Sequence, residues 1–158
     1  EWSAEAAKTV PEIPVFFCSA YGNTKKLAEA IADGIKSAKP DCNCTLFDLS
    51  DCDMGAAAAA INSADAIAIG SPTINADAVA NVWQLLSHVD AINSKKKPAL
   101  VFGSYGWSGD APKLITKHLQ EAGFDVVDDG IKCLWVPDNK AIDECRDYGE
   151  QFCKKVEA

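Results

Sequence analysis

Along the chain, short apolar runs alternate with longer stretches in which apolar residues recur every three or four positions. Val15-Phe16-Phe17-Cys18 is a continuous apolar run, the pattern of a strand covered on both faces. Leu27, Ile31 and Ile35 then repeat every four residues and place one stripe on a helix from about Thr24 to Ser37. Thr45–Leu49 reads as a second strand, and Asp53-Met54 opens an Ala-rich, weakly amphipathic helix to about Ser63. Ala66–Ile69 reads as a third strand ending at Gly70-Ser71-Pro72, because proline has no N–H for a sheet ladder. Val79, Val82, Trp83 and Leu86 carry the i, i+3, i+4, i+7 spacing of the next helix. Pro98–Phe102 is a fourth strand, followed by the Gly-rich segment 103–109, and Ala111, Leu114, Ile115, Leu119 and Ala122 line a fourth helix. Phe124–Val127 and Ile131–Val136 form a last strand broken near Asp128-Asp129-Gly130, and Ile142, Cys145, Gly149, Phe152 and Val156 mark the closing helix.

Five strands alternating with five helices predict an α/β domain, a parallel sheet with helices on both faces. Residues 1–12 are polar without a sustained period and read as a lead-in or interdomain linker, which leaves 13–158 as the domain. In such sheets a ligand binds beyond the carboxyl ends of the strands. That rule singles out the loops 19–24, 70–76 and 103–110, where the chain also concentrates small and polar residues.

At 158 residues the chain fits one domain with a sizeable core. No apolar run approaches the ~20 residues of a membrane span, which predicts no membrane partner. The start Glu1-Trp2-Ser3 is neither basic nor apolar as a secretory leader would be, and it lacks Met, so a processed chain or a domain of a larger protein is expected. A net charge of −8 argues against nucleic acid and suits either solubility or a basic protein partner. Seven cysteines without a regular spacing favour a reducing, cytoplasm-like compartment over a disulfide framework. No Cys-x-x-Cys occurs, and Cys42 and Cys44 share a face of an extended segment, so buried thiols rather than metal ligands are expected. Cys145 and Cys153 fall on the apolar side of the closing helix.

Ser19-Ala20-Tyr21-Gly22-Asn23-Thr24 follows a strand and opens a helix. A helix N-terminus offers unpaired N–H groups and partial positive charge, which suits a phosphate. Ser19, Tyr21 and Thr24 add hydroxyls, Asn23 an amide, and Gly22 permits close backbone approach. The loop holds no Lys or Arg and matches neither a P-loop nor a Gly-x-Gly-x-x-Gly turn, so a monophosphate is favoured over a nucleoside triphosphate or a dinucleotide.

This first loop resembles the flavodoxin phosphate loop. Gly70-Ser71-Pro72-Thr73-Ile74-Asn75, Gly103-Ser104-Tyr105-Gly106-Trp107-Ser108-Gly109 and the closing Asp143–Phe152 look more narrowly like the flavodoxin domain of flavodiiron proteins (A-type flavoproteins). The resemblance covers about residues 13–156. It implies a flavodoxin-like three-layer sandwich with strand order 2-1-3-4-5, and FMN held non-covalently. The isoalloxazine would lie between Pro72, Thr73, Ile74 and Asn75 on one side and Tyr105, Gly106, Trp107 and Ser108 on the other, with Ser71, Ser104 and Gly109 also in the cofactor site. Trp107 between two glycine-containing turns suits stacking on the flavin. Many free flavodoxins place a glycine beside flavin N5, whereas residues 71–76 contain none. Asn75, tolerant of left-handed backbone, stands nearest to that role, and the one-electron-reduced flavin is expected to be less stabilised.

The resemblance implies electron transfer to a redox partner or a neighbouring domain. In the parent proteins that domain carries the di-iron centre that reduces oxygen or nitric oxide, and a homodimer is compatible with it. No catalytic residue of this chain's own and no metal ligand follows. A free-standing flavodoxin shuttle, an FMN-dependent NAD(P)H:quinone reductase and a cofactor-free interaction module stand as alternatives. His88 and His118, lacking a His-x-x-x-His spacing, read as structural, and Lys95-Lys96-Lys97 as a solvated turn.

Overall fold

A computed structural model of the chain describes residues 12–18, 23–40, 42–49, 53–74, 77–78, 80–89, 97–105, 110–126, 131–134 and 139–157. In chain order they form β1 (Val15–Phe17), α1 (Asn23–Ala38), β2 (Leu46–Asp48), α2 (Met54–Ser63), β3 (Ile67–Ile74), β4 (Asp77–Ala78) and α3 (Ala80–Leu86). Then follow β5 (Pro98–Tyr105), α4 (Asp110–Glu121), β6 (Asp125–Val126), β7 (Ile131–Leu134) and α5 (Asn139–Glu157). The sheet runs β2-β1-β3-β5-β6 with parallel neighbours. β7 pairs with β5 further along, so β6 and β7 are two pieces of one broken edge strand. The order is therefore the expected 2-1-3-4-5.

Period-two alternation in the central strands divides the core. Val15, Phe17, Ala66, Ala68, Leu100 and Phe102 pack against Leu27, Ile31 and Ile35 of α1 and Phe152 of α5. Phe16, Ile67, Ile69, Ala99 and Val101 face the opposite way, onto Ile61 of α2, Val82 and Leu85 of α3, and Ile115 and Leu119 of α4. Two helices thus cover one face and three the other. α1 and α5 approach so closely that a Cβ on Gly34 would overlap the Arg146 carbonyl, and one on Gly149 the Ile31 carbonyl. At the amino edge, Glu12 N–H donates to Asp65 Oδ2 (2.8 Å) and Asp65 N–H to the Glu12 carbonyl (2.9 Å).

Three expectations need correction. β3 does not stop at Pro72 but continues to Ile74. Ala68 N–H donates to the Pro14 carbonyl and Cys18 N–H to the Gly70 carbonyl, so residues 68 and 70 turn their backbone groups toward β1. Two residues on, the Pro72 nitrogen faces the same side, where β1 has ended, and no ladder bond is lost. β5 likewise runs past Phe102 to Tyr105, because Phe102↔Ile131 through Tyr105↔Leu134 pair it with β7. Lys97, third in the basic run, is not solvated but only 9% exposed. Its Nζ donates to the carbonyls of Ile61 (3.3 Å) and Asn62 (3.2 Å) in the last turn of α2, and lies 6.0 Å from the Phe124 ring centre.

Lys97 supplies the cation that the last turn of α2 lacks, while Asp53 caps its start by accepting from Gly55 N–H at 3.0 Å. Lys97→Met, which keeps the apolar stem and removes the donor, is expected to lower stability by about 1–2 kcal/mol in urea melts. A Lys97→Met variant as stable as the parent would show that the cap contributes nothing.

Candidate cofactor site

The ends of β1, β3 and β5 set the site. β1 stops at Phe17, opposite Gly70, whereas β3 continues for four more residues. Pro72 pairs with Ser104 of β5, and beyond it Thr73↔Ala78 and Ile74↔Asp77 fold β3 back on β4. The carboxyl edge thus has a step. β3 and β5 project past β1, and α1 starts beside them after a gap of five residues from Phe17.

Of the residues expected at the site, those that the structure describes lie at the ends of these elements. Asn23 and Thr24 are the first two residues of α1, Ser71 to Ile74 the last four of β3, and Ser104 and Tyr105 the last two of β5. Ser71 is fully buried and pairs with Gly103. Ser19, Ala20, Tyr21, Gly22, Asn75, Gly106, Trp107, Ser108 and Gly109 lie outside the described residues. Gly70, at the last rung shared with β1, has no room for a side chain, since a Cβ there would overlap the Phe102 ring.

Electrostatics at the start of α1 favour an anion. Its first turn contains no acidic residue but does contain Lys25 and Lys26, both exposed. The helix dipole disfavours cations at that end, so two lysines there oppose the helix and suit a bound phosphate. Sequence reasoning stopped at the cation-free loop and missed this pair, although Lys25 and Lys26 follow it directly. Cys18, one residue before the loop, adds no competing negative charge. Burial, and then the Asp48 carboxylate, push its thiol up, so it stays neutral. The acid-free first turn of α1 and the projecting β3 and β5 fit a flavin mononucleotide.

His118 sits edge-on to Trp83, ring centres 5.7 Å apart, between α4 and α3. Among the described residues no group of three His, Cys, Asp or Glu is placed to hold a metal ion. Among them, too, no helix is long and apolar enough to cross a membrane.

Residues 15–149 match the Flavodoxin family. The chain belongs to that family. Flavodoxin-family membership and the fit of the edge agree on FMN as the cofactor. Within the family the chain is similar to the Flavo-diiron protein FprA2 of Clostridium acetobutylicum, 44% identical over 154 residues, covering 98% of this chain and 38% of the relative. It is also similar to the anaerobic nitric oxide reductase flavorubredoxin of Vibrio vulnificus, at 35% identity over 90% of this chain and 28% of the relative. Among solved structures, the Flv1 flavodiiron core from Synechocystis sp. superposes with a TM-score of 0.86 at 29% identity, over 99% of this chain and 38% of that one. A flavodoxin from the domain Archaea superposes with a TM-score of 0.82 at 32% identity, over 93% of this chain and 99% of that one. The chain therefore spans well under half of its flavodiiron relatives, yet covers 99% of that archaeal flavodoxin.

Proposed function

We propose that this domain relays electrons, through FMN held at the carboxyl edge, to a di-iron centre in a separate domain that reduces oxygen or nitric oxide. The similarity to flavodiiron relatives over nearly the whole chain supports this reading, together with their names. So does the acid-free first turn of α1 with its two lysines, which favours an anion. Bound FMN supplies one- and two-electron chemistry that no side chain offers. Thr24, Asn23 and the loop from Ser19 would hold the phosphate, with Lys25 and Lys26 adding positive potential. Residues 71–75 and 104–109 would flank the flavin ring. The acidic chain would meet a basic donor, or a basic face of the neighbouring domain, by electrostatic steering. The seven cysteines without a regular framework spacing favour a reducing, cytoplasm-like setting.

A stopped-flow experiment tests the relay. The reduced holo-domain, mixed with the di-iron domain of a flavodiiron relative, should be reoxidised faster at low than at high salt, and alone it should not turn over nitric oxide. Efficient NAD(P)H-driven quinone reduction by the domain alone would instead support the quinone reductase reading.

A further inference from the structure

The last rung that β1 shares with β3 sets a glycine between two phenylalanines. Phe17 of β1 stands beside Gly70 of β3, and Gly70 beside Phe102 of β5, so all three share one face of the sheet. That is the face α1 covers. A Cβ on Gly70 would overlap Cδ2 and Cε2 of Phe102 and come within 2.6 Å of its Cζ. The Phe102 ring therefore leans across β3 into the space that Gly70 leaves. It is fully buried, in one cluster with Phe17, Leu27 and Ala28. α1 approaches both β3 and β5 and runs from the carboxyl edge back to the amino edge. Leu27, first in its apolar stripe, is thus the stripe residue nearest to this rung. Two residues and about 7 Å further along the same face, Pro72 pairs with Ser104 at the candidate ring site.

We propose that Phe102 is a positioning residue for the cofactor. Seated over Gly70, its ring sets how far the start of α1 stands from the ends of β3 and β5, and so the spacing of the phosphate and flavin-ring subsites. The proposal rests on FMN as the cofactor. FMN is one covalent piece, so its two ends bind together at full strength only where the subsites are correctly spaced. A phenyl ring is a rigid spacer, and Gly70 admits it because it carries no Cβ. With a smaller side chain at 102, α1 would relax partway into the gap and carry the phosphate site with it.

The test measures the affinities of the whole chain for FMN and for riboflavin by flavin fluorescence, with apo-protein melts alongside. Riboflavin fills the ring subsite alone, so the ratio of the two affinities reads the phosphate contribution separately from folding. Phe102→Leu should bind riboflavin nearly as tightly as the parent. Its preference for FMN should fall by about tenfold or more, the loss of one good hydrogen bond to the phosphate. Phe16→Leu, in the core on the opposite face, is the control, and it should melt earlier yet keep the full preference for FMN. Phe102→Met, similar in volume but without the flat ring, should repeat the Phe102→Leu result and replaces it if Phe102→Leu does not fold. An FMN preference unchanged in the Phe102 variants, or lowered as much in Phe16→Leu, would overturn the proposal. A parent protein that takes up no FMN, or binds both flavins equally, would overturn FMN as the cofactor and the proposal with it.

Discussion

Gly149→Ala should destabilise the domain by about 2–4 kcal/mol and lower its melting temperature by roughly 4–16 °C. The added methyl would overlap the Ile31 carbonyl, and the Ile31 carbonyl carbon and Ile35 nitrogen lie only 3.2 Å away. All of these are backbone atoms of a helix, so no side chain can swing aside. The helices must separate, and separation opens the layer where Ile31, Ile35 and Phe152 pack. Alanine also gains about 1 kcal/mol of helix propensity over glycine, so the net loss understates the clash. Gly34→Ala should behave alike, since its methyl would overlap the Arg146 carbonyl. The double variant should lose less than the sum, because one separation relieves both contacts. Gly55→Ala is the control. Its methyl meets only Asp53 Oδ1, at 3.4 Å, and it should be neutral or stabilising. Urea melts of the four variants read the effect directly. Equal stability of Gly149→Ala and Gly55→Ala would contradict the close crossing of α1 and α5.

Thr24→Asp should move stability and cofactor affinity in opposite directions. A carboxylate in the first turn of α1 complements the helix dipole and the neighbouring Lys25 and Lys26, which is worth about 0.3–1 kcal/mol to the apo-domain. At the proposed site the same carboxylate would stand near the phosphate and replace a hydroxyl donor. At partly screened separations such repulsion costs about 2–4 kcal/mol, a loss in FMN affinity of roughly 30- to 1000-fold. A variant that was merely misfolded would lose both properties, so the split distinguishes a phosphate site from damage. Apo-protein melts and FMN titrations by flavin fluorescence measure the two halves. Unchanged FMN affinity in Thr24→Asp would place the phosphate elsewhere.

The elements whose patterns are strong in the sequence are those that the core requires. Leu27, Ile31 and Ile35 define α1 because that stripe faces the sheet, and the apolar run Val15–Cys18 defines β1 because both its faces are covered. What was illegible depends on neighbours distant in sequence. Pro72 stays in a strand only because β1 ends two rungs earlier, and Ser104 and Tyr105 are strand residues only because β7 pairs with them. The short hairpin strand β4 has no periodicity of its own to read. Lys97 looked like a surface turn because the carbonyls it caps lie more than thirty residues back. At the candidate site, the loop composition suggested an anion, but the two lysines that follow it lie outside that loop and drew no expectation. Their meaning emerges only when the first turn of α1 is set beside the step between β1 and β3.

The most direct measurement is a titration of the apo-domain with FMN and, in parallel, with riboflavin. FMN should bind at one per chain, and riboflavin, lacking the phosphate, roughly 100-fold or more weakly. Failure to take up FMN, or equal affinity for the two flavins, would contradict a cofactor anchored at the start of α1.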